Sequence, residues 1–79
     1  MKNTFVVSTI TENHFFSTLE KAKEDFQWGI ETCEKLKITG EICIYELPEN
    51  LDENITESEH FLNCLDNGTA EEIETQTLN

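Results

Sequence analysis

Two histidines, His14 and His60, and three cysteines, Cys33, Cys43 and Cys64, are the side chains of this 79-residue chain able to do chemistry near neutral pH. His60 and Cys64 lie four residues apart, so on a helix they would share one face, and with Cys33 and Cys43 they offer four zinc-type donors. The close ligand pairs of a zinc site, cysteines two to four residues apart, are missing. A Cys–His nucleophile also needs an orienting group and an oxyanion hole, and nothing in the sequence marks either. Gly29, Gly40 and Gly68 are scattered, so no phosphate-cradling loop is present. Carboxylates abound, but paired acid–base work requires environments that push two pKa values apart, and an acidic surface is the commoner reason for such numbers. The residues point to no catalytic site, no metal and no cofactor.

Charge says more. Seventeen acids face five bases, a net charge of −12, and every base is a lysine: Lys2, Lys21, Lys23, Lys35 and Lys37. Residues 1–47 hold eight of the acids and all five lysines, a balance of −3; residues 48–79 hold nine acids and no base, a balance of −9. Such a chain repels nucleic-acid phosphates and anionic membranes, because binding either requires Lys or Arg to displace counterions. A basic protein surface is the complementary target, while the plainer alternative is that the acids only keep the chain in solution. The apolar share, 37%, is below the usual figure of about 45–50%, which suggests that only part of the chain packs. No secretory core follows Lys2, no apolar run approaches the ~20 residues of a membrane span, and an odd cysteine count is no disulfide framework. The expected location is therefore cytoplasmic, with reduced thiols.

The elements that must position these residues follow from patterning. Residues 3–10, rich in β-branched side chains, read as a strand, and His14-Phe15-Phe16 as its hairpin partner. Ser17-Thr18-Leu19-Glu20 has the form of a capping box, opening a helix that runs to about Lys37 and stops at Thr39-Gly40. At about 100° per residue, Ala22, Phe26, Ile30 and Cys33 fall on one stripe with Leu19, and Gly29 beside it leaves room for a strand to come close. Glu41–Leu47 reads as a strand with two apolar faces, Ile42/Ile44 and Cys43/Tyr45/Leu47, so its second face needs a cover. The expected class is α+β: a small antiparallel sheet made of a β-hairpin, one long helix and a closing strand. The domain reading is a core over 1–47, an acidic linker over 48–57, a short docked helix over 58–68 and a flexible acidic tail over 69–79.

Trp28 does not fit this scheme. It falls about 180° from Leu19 on the helical wheel, among Lys21, Glu24, Asp25, Glu31, Thr32 and Lys35. Tryptophan on a charged face suggests a binding hot spot. The alternative is that the C-terminal segment folds over this face and buries Trp28 against Phe61 and Leu65.

The strand Phe5–Ile10, the box Ser17–Glu20, the helix through Lys37, the strand Glu41–Leu47 and the acidic C-terminal third together resemble, in layout and charge, small bacteriophage-encoded proteins that inhibit host machinery. The resemblance implies a non-enzymatic inhibitor in the host cytoplasm, some of whose class mimic the charge of DNA. It would cover a basic surface on a nucleic-acid-handling enzyme or defence complex, as a monomer or small homo-oligomer. The contact residues would be Trp28, Glu24, Asp25, Glu31, Asp52, Glu53 and Glu57. A regulatory or antitoxin-like subunit that completes a partner's fold is the second reading. A small metal-dependent protein using His60 and Cys64 is a third.

Overall fold

The computed structural model describes residues 3–79. Six elements follow in chain order: β1 (Thr4–Ser8), β2 (Asn13–Phe16), α1 (Leu19–Leu36), β3 (Gly40–Leu47), α2 (Glu57–Asn67) and β4 (Glu71–Leu78). The strands form one four-stranded sheet in the order β2-β1-β3-β4, and each neighbouring pair is antiparallel. The class is α+β.

Strand alternation divides the core in two. Val7 of β1 opposes Ile44 of β3, and these with Ile42 and Leu78 face α1, which contributes Ala22 and Phe26. Val6 opposes Tyr45, and Thr4 opposes Leu47, so Val6, Tyr45 and Leu47 point to the other face. There Phe61 and Cys64 of α2 close over Val6 and Leu47, with Phe15, Tyr45 and Ala70 around them. The helices therefore lie on opposite faces of the sheet. The cover that the two-faced β3 strand requires comes from α2. Each fully buried Val, Leu or Ile contributes roughly 1.5–3 kcal/mol, so Ile42, Ile44, Leu47, Val6 and Val7 dominate the fold's stabilisation.

Both helices are capped by local chemistry, though not always by the expected residue. Thr18, rather than Ser17, is the N-cap of α1, its hydroxyl accepting from the Lys21 amide at 3.3 Å, so the Ser17–Glu20 box is not used. α1 ends at Leu36 because Lys37 adopts a left-handed conformation, φ 57°, and donates its N–H to the carbonyls of Cys33 and Glu34. Gly40, expected as the stop, instead opens β3 at φ 143°, where a Cβ would sit 2.8 Å from Ile10 Cγ1. Thr56 caps α2, accepting from the Glu59 amide at 3.1 Å, and Gly68 ends it at φ 73°.

The largest correction concerns the tail. Residues 71–78, expected to be flexible, form an eight-residue strand paired with β3 along its whole length. Only Leu78 is buried and Ile73 half-buried on this strand, so it lacks the apolar alternation that marks a strand in sequence. It is held by the ladder to β3, and Ile73, Thr75 and Thr77 suit a pleated surface. The register shifts between Ile44 and Tyr45, where Ile73 is the extra residue of a β-bulge.

Candidate functional site: an apolar groove beside Trp28

α1 carries more than its core stripe. Asp25, Trp28, Gly29, Thr32, Cys33 and Leu36 recur at helical spacing on its flank, and the turn after β1 rises alongside them. That turn is fixed by Thr9, whose N–H and hydroxyl both donate to the Glu12 carbonyl at 2.8 Å, while the Glu12 amide donates back to Thr9 Oγ1 at 3.1 Å. Between turn and helix lies a groove of about 220 Å³, lined also by Ile10 and Ile38. From Asp25 to Leu36 it follows α1 for roughly 16 Å, at about 1.5 Å per residue.

Its walls are apolar and open. Trp28 is 62% exposed and Leu36 63%, with Ile10 and Ile38 also exposed. Trp28 is therefore not covered by the C-terminal segment. Phe61, proposed as its cover, packs across the sheet against Phe15 at 6.3 Å and Tyr45 at 5.5 Å between ring centroids, and Leu65 is exposed. The reason is that β3 presented an apolar face of its own, which Phe61 fills. Gly29 forms part of the groove floor; a Cβ there would lie 3.7 Å from Ile42 Cδ1 and 3.9 Å from Thr9 Cγ2, ordinary contacts.

One end of the groove is charged. His14 Nδ1 lies 2.8 Å from Asp25 Oδ2, and its Nε2 lies 3.1 Å from Glu12 Oε1. Hydrogen bonding to Asp25 raises the His14 pKa, with the charges of Asp25 and Glu12 adding to the effect and burial opposing it. When protonated, both ring N–H groups donate, and the imidazolium ties β2 to α1 and to the turn.

The seven residues expected to form one contact surface are divided by the fold. Trp28 and Asp25 line the groove. Asp25 also borders a shallow depression at the β2 edge, with His14, Phe15 and Glu57. Glu24 and Glu31 are exposed on α1 outside the groove, Glu31 accepting from Gln27 Nε2 at 3.4 Å. Asp52 sits in the segment leading into α2, accepting from the Asn54 amide at 2.9 Å, with Glu53 exposed beside it. Ile10, His14, Leu36 and Ile38 were missed as site residues. The trace of Leu36 in the sequence was its place with Gly29 and Thr32 on a flanking stripe; Ile10 and Ile38 could be placed only once the turn was known to rise beside α1.

The other chemistry-bearing side chains are dispersed. His60 Nε2 lies 2.8 Å from the Pro48 carbonyl, and its ring stands 3.7 Å from Cys64 Sγ. Cys33 packs on the α1 face and Cys64 on the α2 face, so the sheet separates the donors that a zinc site would need. Among the described residues no three His, Cys, Asp or Glu side chains are arranged to hold a metal ion, and no helix is long and apolar enough to cross a membrane. Cys43 and Tyr45 share the half-open end of the α2 face, where burial raises the Tyr45 pKa, helped by Cys43, Glu72 and Glu41. Comparison with protein-family models, with curated proteins and with solved structures finds no match.

Proposed function

We propose that this chain is a non-enzymatic binding protein that modulates or inhibits a partner protein, with the Trp28 groove as its contact surface. The observation that carries the reading is an exposed tryptophan beside an open apolar groove, on a chain whose net charge is −12. Tryptophan is enriched where interfaces concentrate their energy, and an exposed apolar patch on a small domain marks a surface that meets something. The acidic excess favours a partner with a basic surface and accelerates the encounter. A nucleic-acid-handling enzyme or defence complex has such a surface, and occupying it would inhibit by exclusion. The second reading, completion of a partner's fold by adding a strand or a helix, predicts poor stability alone because β3 would lack a cover, whereas α2 packs on part of that face.

The test places a photo-crosslinking residue at Thr32, in the groove, and separately at Lys23 as a control, then identifies the captured protein and measures binding with purified components. Trp28→Ala should weaken binding by about 2 kcal/mol, roughly 30-fold, mainly through faster dissociation, with unchanged circular dichroism. Equal capture from both positions, or affinity indifferent to Trp28→Ala, would refute the groove as the contact.

A further inference from the structure

A second surface lies at the other end of the sheet from β2. β4 is an edge strand of eight residues, and among the described residues nothing pairs with its outer side. The opposite edge, β2, is four residues long, too short to template much pairing. β4 has neither brevity nor any lysine or proline to blunt it; it is guarded by the bulge at Ile73 and by the charge of Glu71, Glu72 and Glu74, with Glu74–Leu78 regular. Along that stretch, unpaired backbone groups face outward and can receive another strand.

The surroundings of this edge favour an occupant of one kind. Every charged side chain on β4 is acidic: Glu71, Glu72 and Glu74. Strand alternation puts Glu74 and Gln76, opposite Ile44 and Ile42, on the α1 face. Glu72, opposite Tyr45, joins Glu41 on the other face, where both act on the Tyr45 phenol. Negative charge therefore flanks the edge above and below. Beside it lies a depression of about 470 Å³ between the end of α1 and β4, lined by residues that include Glu34, Lys37, Ile38, Gln76 and Leu78, so the edge itself, rather than this depression, is uniformly acidic. A second copy of this chain would bring three more glutamates to an edge already holding three, with no base on either strand. We infer that the β4 edge accepts an extended basic peptide segment, added as a fifth strand with Lys or Arg on both of its faces. The depression beside this edge meets the Trp28 groove at Ile38, which lines both, but the β4 backbone edge is a different contact, and the inference stands whether or not the groove binds a partner.

The test uses the full chain and a short synthetic peptide in which pairs of lysines alternate with pairs of valines, so that both faces of the extended strand carry lysine. A second peptide carries N-methyl groups on alternate residues, which removes backbone donors and keeps the charge; a third has glutamate for lysine. Binding of the first should slow hydrogen exchange at alternate β4 amides. N-methylation should weaken it about fivefold for each backbone hydrogen bond lost. The glutamate peptide should not bind. Glu71→Gln, Glu72→Gln and Glu74→Gln together should lower affinity for the lysine peptide and its salt dependence, while sensitivity to N-methylation persists. Equal binding of the methylated peptide would reduce the effect to charge attraction and overturn strand addition. Protection of β4 that grows with protein concentration in the absence of peptide would make the occupant a second copy and equally overturn it.

Discussion

Phe61→Ala tests the second layer of the fold most directly. Phe61 is 3% exposed and, apart from Cys64, is the only residue of α2 that is buried. A helix of eleven residues is not stable alone, so α2 exists because this ring is held. The ring meets Phe15 edge-on, at 82°, and tilts against Tyr45 at 51°. Such pairs contribute about 0.5–1.5 kcal/mol each beyond burial, and Phe→Ala in cores costs about 3–5 kcal/mol in all. A 79-residue domain has about 4–12 kcal/mol of total stability, at 0.05–0.15 kcal/mol per residue, so one substitution consumes much of it. With a urea slope of about 1 kcal/mol/M, the midpoint should fall by roughly 3 M, followed by far-ultraviolet circular dichroism. Leu62, next in sequence on the same helix, is 59% exposed, and Leu62→Ala should stay within about 0.5 kcal/mol. A Phe61→Ala midpoint shift below about 1 M, or equal effects at both positions, would mean that α2 does not dock through this ring.

Three smaller changes probe the site's supports. The raised pKa of His14 means its stabilisation is fully present below the unfolded value of about 6.5 and is lost as pH rises through the higher folded value. Thermal stability should therefore decline from pH 6.5 upward in the native chain, and His14→Gln should flatten that decline. Lys37→Gly should stabilise by about 0.5–1 kcal/mol, since Lys37 holds a left-handed conformation that costs a side chain more than glycine, read as a rise in urea midpoint. Gly40→Ala should destabilise by about 1–3 kcal/mol in the same assay, because the new Cβ meets both its positive φ and Ile10 at 2.8 Å.

How far the sequence disclosed this molecule depended on where apolar residues lay. The hairpin, the long helix and β3 each carry an apolar period, and each is present within a residue or two of its expected bounds; the last two residues expected in β1, Thr9 and Ile10, instead enter the turn at Thr9–Glu12. The core stripe of Ala22 and Phe26 was legible for the same reason. β4 was not, because a strand held by its ladder to a central neighbour need bury only Leu78 and part of Ile73. The side of the sheet that α2 takes was likewise hidden: Phe61 could have met either Trp28 or Tyr45, and only the register of β1 with β3 shows that Val6 and Leu47 leave an apolar face for it. Trp28 stood out as a residue out of place, but the groove beside it is a tertiary feature, made by a turn and a helix whose meeting no local pattern encodes.

The placement of charge then separates two roles that the sequence had merged. α1 and the turn after it bear four of the lysines, Lys21, Lys23, Lys35 and Lys37, whereas the linker, α2 and β4 carry nine acids and no base. The steering field thus originates mostly across the sheet from the groove. A partner drawn by that field and anchored at Trp28 should respond to the two features independently. Reversal of Asp52, Glu53 and Glu57 to Lys should slow association and reduce its salt dependence, since exposed charges act over about 8–10 Å at physiological ionic strength. Trp28→Ala should speed dissociation with little salt dependence. Sites without shared partners add within about 0.3–0.5 kcal/mol, so the combined variant should lose the sum of the two. A combined loss well short of that sum would mean that one partner group touches both regions, and the β2 edge offers a route for it, where Asp25 and Glu57 border the same depression.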